Sequence, residues 1–216
     1  MTIKRGVENG MNNIEQLCND SRSAGEFAHG YFNYLKHLLD SIKPESIDKL
    51  VEEFENARTT GNTIFVAGNG GSATTATSMA NDLGFDVIKK TGTDRPFRVL
   101  ALTDNTSVIT AIANDVGYEN VFLNQLKIHY RQGDKLLAIS ASGNSPNVVA
   151  AAKWVKEQGG CVISFVGFTG GALKKIADVI VHVISDAGEY GPVEDAHLVL
   201  SHILAHWFQN KLKQKA

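Results

Sequence analysis

The sequence predicts an α/β fold: a three-layer sandwich on a five-stranded parallel sheet, with a helix pair before the sheet and a long buried helix after it. Three observations carry this. Five short runs, at 63–67, 97–102, 135–139, 161–166 and 179–183, are almost continuously apolar rather than alternating, as parallel strands covered on both faces are. Helical stretches separate these runs, and strand–helix alternation implies a parallel sheet with right-handed crossovers. Both ends of the chain show apolar residues at helical spacing.

Residues 1–22 are polar and Asn-rich and read as a loosely ordered segment before a single domain over 23–216. Phe27, Tyr31, Tyr34, Leu35, Leu38, Leu39 and Ile42 then recur at helical spacing, and Pro44 breaks the pattern. A second helix carries Ile47, Leu50, Val51 and Phe54 on one face. Between the strands, helices are expected over 72–83, 107–113, near 121–128, over 146–158 and over 171–176. The last helix is expected over 192–213. Its apolar residues (Leu198, Val199, Leu200, Ile203, Leu204, Trp207, Phe208, Leu212) cover most of its circumference, a pattern that predicts burial, with an oligomer interface as its place.

The totals exclude several classes. In 216 residues, 43% are apolar and 20% charged, with a formal net charge of −2. No basic patch suggests a nucleic-acid partner. No apolar run is long enough to span a membrane, and the polar start lacks the apolar core of a secretory signal. Two cysteines, Cys18 and Cys161, do not make a disulfide framework, and a cytoplasmic location is expected.

Chemistry concentrates in two loops. Gly68-Asn69-Gly70-Gly71-Ser72-Ala73 follows an expected strand and opens an expected helix. There the positive end of the helix dipole faces an anion, and glycines allow close backbone approach. The spelling also fits a dinucleotide fingerprint, but that needs an acidic residue ending the next strand. Asp86 has a suitable distance and is not on an expected strand, so no nucleotide cofactor is expected. The second loop, Ser140-Ala141-Ser142-Gly143-Asn144-Ser145, precedes Pro146, which suits a first helical turn. Hydroxyls and backbone amides without Lys or Arg form a neutral cradle that suits a phosphate monoester. Neither a Walker loop nor a nucleophile elbow occurs, so these serines read as ligand contacts. Simple turn formation and helix capping are the alternatives for the two loops.

Together and in this order, GNGGSA (68–73), AIANDVGYENVF (111–122), ISASGNSPNV (139–148), GFTGG (167–171) and VEDAHLVLSH (193–202) resemble the sugar isomerase (SIS) family, and within it the phosphoheptose isomerases. The resemblance implies conversion of sedoheptulose 7-phosphate, or a related ketose phosphate, to the aldose phosphate for surface polysaccharide synthesis. It also implies a homotetramer whose sites draw on neighbouring subunits. It places the phosphate on Ser140, Ala141, Ser142 and Ser145, and the sugar on Asn69, Gly70, Gly71, Ser72, Asn114, Asp115 and Glu194. The family pattern has His and Glu where this chain has Ser78 and Asp82, and Gln where it has Glu194.

An enediol isomerisation needs a base over the carbon and an acid near the two oxygens. Asp82 is the candidate base and His202 the candidate acid, with Glu194 an alternative base. Asp195, seven residues before His202, is placed to orient it. Asp82, Glu194 and His202 also form a candidate set for a divalent metal, zinc in the family. His197 and His206 read as structural. The competing function is a non-catalytic sugar-phosphate-binding protein, a sensor or adaptor.

Overall fold

The computed structural model describes residues 10–213; residues 1–9 and 214–216 lie outside the described part, and with them much of the expected N-terminal segment. The described remainder of that segment is more ordered than expected. Asn13–Asp20 form α1, opened by a capping box: the Asn12 side chain accepts from the Glu15 N–H, and the Glu15 carboxylate accepts from the Asn12 N–H. Helices α2 (Ala24–Asp40) and α3 (Pro44–Thr60) follow, so three helices precede the sheet rather than two.

The sheet contains β1 (Thr63–Ala67), β2 (Arg98–Ala101), β3 (Lys135–Ser140), β4 (Cys161–Val166) and β5 (Val179–His182), within a residue or two of the expected runs. All pairings are parallel and the spatial order is β2-β1-β3-β4-β5. The order reverses between β1 and β3. In open α/β sheets ligands bind outside the carboxyl ends of the strands at such a point.

The connecting helices are α4 (Gly71–Met79), α5 (Val87–Thr91), α6 (Thr106–Asp115), α7 (Val121–His129), α8 (Pro146–Glu157), α9 (Leu173–Ile176) and α10 (Tyr190–Lys213). The helix expected to stop near Gly84 continues. Ala80–Asp86 form a π-helical stretch that joins α4 to α5, and the chain turns only at Gly92, with φ 65°. A π-helical stretch absorbs an extra residue per turn and is frequent at functional sites.

Alternate strand residues face opposite layers. Leu137, Ile139 and Phe165 pack with Leu50, Phe54, Met79, Leu200 and Phe208. Leu136, Ala138 and Val162 pack with Phe122, Leu126, Val148 and Val155. The three-layer expectation holds. The expectation of a helix buried all round does not hold within one chain. Val193, Leu200, Leu204 and Phe208 are buried, whereas Ile203 and Trp207 stand exposed. An outer-layer helix meets the sheet along one stripe only. Val199, Ile203 and Trp207, with His202 and His206, line an open groove of about 610 Å³ on the other side.

Candidate functional site at the carboxyl ends of the strands

The two Gly/Ser-rich loops follow β1 and β3 and therefore flank the reversal point of the sheet. No side chain caps α4 or α8, which leaves their N-termini suited to an anion. The loops are tied together. Asn69 and Asn147 exchange side-chain amide hydrogen bonds, each 2.9 Å, and the Tyr118 hydroxyl donates to Asn69 Oδ1 at 2.9 Å. The roles of Asn147 and Tyr118 were not legible in the sequence, although both lie inside the motifs that carry the resemblance.

The serine loop gathers its hydroxyls. Ser140 Oγ stands 3.0 Å from Ser145 Oγ and 3.5 Å from Ser142 Oγ. The Gly143 N–H donates to Ser140 Oγ and the Asn144 N–H to Ser142 Oγ, both at 3.2 Å. Ala141 differs from its neighbours: its side chain is buried in the core, and its carbonyl accepts from the Gly167 N–H at 2.8 Å. Only its backbone faces this chemistry.

The 167–173 segment buttresses the serine loop. The Ala172 N–H donates to Asn144 Oδ1 at 2.9 Å and the Leu173 N–H to the Gly143 carbonyl at 3.0 Å. Gly143 has φ 66°, and a Cβ there would overlap the Gly170 carbonyl. Phe168 adopts φ 47°, uncommon for a non-glycine residue. His182 Nε2 lies 2.9 Å from the Phe168 carbonyl, and the Phe168 ring packs edge-on against Tyr190.

The first turns of α10 cross the loops after β1 and β4. Val193 packs against Gly167, and the Glu194 carboxylate lies directly over Gly71, where a Cβ would overlap it. Glu194 is thereby half-buried, and burial, reinforced by neighbouring Asp195, raises its carboxyl above the ordinary carboxylate range. Ser72 is buried just inside the same loop.

Helices α4 and α10 both start at this end of the sheet and pack side by side. Eleven residues beyond Gly71 and eight beyond Glu194, Asp82 and His202 meet: Asp82 Oδ2 is 3.6 Å from His202 Nε2. The Ser78 hydroxyl donates to Asp82 Oδ2 at 3.2 Å and the Asn81 amide to Oδ1 at 2.9 Å. Both carboxylate oxygens are thus oriented. His202 is half exposed, so the pair opens to solvent.

Other expected residues are placed differently. Asp195 accepts from the Tyr31 hydroxyl at 2.6 Å, so it turns to α2 rather than to His202. Asn114 donates to Asp115 at 2.7 Å, and both are exposed at the end of α6. The candidate metal set does not converge. Among the described residues no group of three His, Cys, Asp or Glu stands close enough to hold an ion. Glu194 lies eight residues from His202, roughly 12 Å of helical rise, so only Asp82 and His202 come together. Within one chain, Asp82 and His202 are thus two donors without a third.

Residues 30–167 match the model of the SIS domain. A phosphoheptose isomerase from Aneurinibacillus thermoaerophilus is 38% identical over 157 residues, 72% of this chain and 74% of the relative. The chain belongs to the SIS family, among the phosphoheptose isomerases. A probable phosphoheptose isomerase from Thermoplasma acidophilum is 36% identical over 171 residues, 79% of this chain and 91% of the relative. Among solved structures, phosphoheptose isomerase GmhA from Neisseria gonorrhoeae superposes with a TM-score of 0.75 at 29% identity, covering 87% of this chain and 100% of that one. Ser78 and Asp82 are the two positions where the resemblance implies a His and a Glu. The substitution leaves an internally bonded Ser78–Asp82–His202 arrangement, with a hydroxyl donor where the pattern has an imidazole.

Proposed function

We propose that this chain isomerises sedoheptulose 7-phosphate, or a closely related ketose phosphate, to the aldose phosphate. The observation that carries the chemistry is the meeting of Asp82 and His202 at 3.6 Å, from helices 120 residues apart in the chain. The Ser140, Ser142 and Ser145 hydroxyls take the phosphate. Asn69, Gly70, Gly71 and Glu194 face the sugar, with Glu194 accepting from its hydroxyls. Asn114 and Asp115 close the sugar site.

Asp82 removes the proton from C1 of the ketose while His202 delivers one to the C2 carbonyl oxygen, giving the enediol. The proton on Asp82 then returns to C2, and His202 takes the proton from the C1 hydroxyl as the aldehyde forms. The Asp82 side chain is one bond shorter than Glu, about 1.5 Å. Its seat in the π-helical stretch, with Ser78 and Asn81 orienting both oxygens, supports its service as the base.

Assembly into a homotetramer fits the apolar stripe Val199, Ile203 and Trp207 beside His202, which another copy would cover. No helix among the described residues is long and apolar enough to cross a membrane.

The test is incubation with sedoheptulose 7-phosphate in deuterium oxide, following aldose formation and solvent deuterium uptake. Turnover should fall about 10²-fold or more in Asp82→Asn. In Glu194→Gln the exchange should persist, with weaker binding. Absence of exchange across a panel of five- to seven-carbon ketose phosphates overturns the reading, and ligand-induced stabilisation without exchange would leave a sugar-phosphate sensor. Loss of exchange in Glu194→Gln with retention in Asp82→Asn would transfer the base to Glu194.

A further inference from the structure

Glu189, the residue before α10, is a buried carboxylate that no step above uses; it is 1% exposed. Its Oε1 accepts from the Asn13 N–H at 2.7 Å, and its Oε2 accepts from the Tyr34 hydroxyl at 2.5 Å and the Asp186 N–H at 3.0 Å. The Asn13 side-chain amide donates to the Tyr34 hydroxyl at 3.2 Å and to Asp186 Oδ2 at 2.9 Å. One turn earlier on α2, the Tyr31 hydroxyl donates to Asp195 Oδ2 at 2.6 Å and passes over Gly191, where a Cβ would meet it at 3.2 Å. Tyr31 and Tyr34 are three residues apart and share one face of α2.

A buried carboxylate is a poor way to gain stability, since well-packed apolar residues often serve as well or better. Hydrogen bonds do something apolar contacts do less well: they fix direction and axial position. Here they fix the start of α10. Glu189 precedes the helix, Asp195 lies in its second turn, and Glu194 stands between them over Gly71. The first turns of α10 could otherwise slide against α2 and α4, because the neighbouring contacts are aliphatic and aromatic. Asn13, Asp186, Glu189 and Asp195 all lie outside the stretch 30–167 that matches the SIS model.

We propose that Glu189, Tyr34 and Tyr31 are positioning residues: they hold the first turns of α10 in register, and with them the Glu194 carboxylate over the Gly71 loop. The N-terminal helices α1 and α2 are then part of the working site. This rests on the reading of Glu194 as a sugar contact.

The experiment compares Tyr31→Phe and Glu189→Gln in the full chain with Leu126→Ala, a core truncation in the opposite layer. Melting temperature, kcat and KM for sedoheptulose 7-phosphate, and its Kd by calorimetry are measured for each. Misplacement of about 1 Å can cost up to 10²-fold, so kcat/KM should fall about tenfold or more in Tyr31→Phe and Glu189→Gln. Leu126→Ala should lose at least as much thermal stability and keep kcat/KM within about twofold. Tyr31→Phe should add nothing in a Glu194→Ala background, because the side chain it positions is already gone. Unchanged kcat/KM in Tyr31→Phe, the variant that keeps its ring and folds most safely, overturns the proposal. So does a full additional loss in the Glu194→Ala background. If the wild type binds the sugar phosphate without turnover, the isomerase reading falls, and the same comparison is made on Kd. A weakening of about fivefold or more then supports positioning, and equal affinity overturns it. A wild type silent in both assays overturns both.

Discussion

Replacing Gly71 with Ala separates stability from function at this site. Gly71 begins α4 and is absent from the glycines with positive φ, so Ala enters without backbone strain. Ala is the better helix former by about 1 kcal/mol, and Gly→Ala at a compatible position also restricts the unfolded chain. The melting temperature should hold or rise. The added methyl, however, enters the space of the Glu194 carboxylate, the far end of a flexible side chain. That carboxylate must withdraw by about 1 Å to regain ordinary contact distance. Displacement of a substrate-contacting group on that scale costs up to about 10²-fold in kcat/KM. The assay is steady-state isomerisation of sedoheptulose 7-phosphate beside a thermal melt, repeated in Glu194→Asp. The shortened acid already leaves room, so Gly71→Ala should cost little more in that background. An equal loss in both backgrounds would mean that the methyl acts on the sugar itself and would refute the reasoning. A stabilised Gly71→Ala with wild-type kcat/KM would refute the placement of Glu194 at the sugar.

Three further outcomes are expected. His197 is fully buried, and burial pushes its imidazole down to about 4 from 6.5; it stays neutral when folded while the unfolded chain takes up a proton, so stability is complete above about pH 6.5 and is lost as pH falls towards 4. At pH 5 this amounts to about 2 kcal/mol, or about 4–8 °C in Tm, and His197→Leu should remove that component from a pH series of melts. Gly143→Ala meets both a φ of 66° and the Gly170 carbonyl, so it should cost about 2 kcal/mol or more and weaken phosphate binding, read by denaturant unfolding and phosphate titration. Because burial raises the Glu194 carboxyl, the KM for the sugar phosphate should begin to rise on acidification above the ordinary carboxylate range, and Glu194→Gln should flatten that limb.

The strands were legible because a buried parallel strand has no polar face, and runs such as 63–67 and 161–166 match β1 and β4 residue for residue. The loops were legible because glycine and serine at a strand-to-helix junction have few other uses. The end of the α4–α5 stretch was not legible: Leu83-Gly84 has the spelling of a C-cap, but Leu83 is fully buried and a π-helical stretch carries the chain past Gly84. Tertiary packing overrode local propensity there. Helix α1 was missed because its capping box sits in a polar segment with little apolar periodicity, and Asn13 gains its partners, Tyr34, Asp186 and Glu189, only in three dimensions.

The arrangement of α10 explains why the site itself was only half legible. Spacing along one helix suggested that Asp195 orients His202, since seven residues nearly complete two turns. The helix is nevertheless claimed by different neighbours at each level. Its first two turns are shared between α2, through Tyr31 and Tyr34, and the loop at Gly71, and His202 belongs to Asp82 two turns on. One helix therefore joins the Gly71 loop to the Asp82–His202 pair at a separation set by its own rise of about 1.5 Å per residue. A metal ion bridging Glu194 and His202 would have to span that rise. The pair Asp82 and His202, by contrast, needs no change in either helix to meet, and Ser78 contributes a hydrogen bond that stabilises the meeting. The departures at Ser78 and Asp82 are mutually consistent: the serine supplies the donor that a shortened carboxylate uses to hold its direction towards His202.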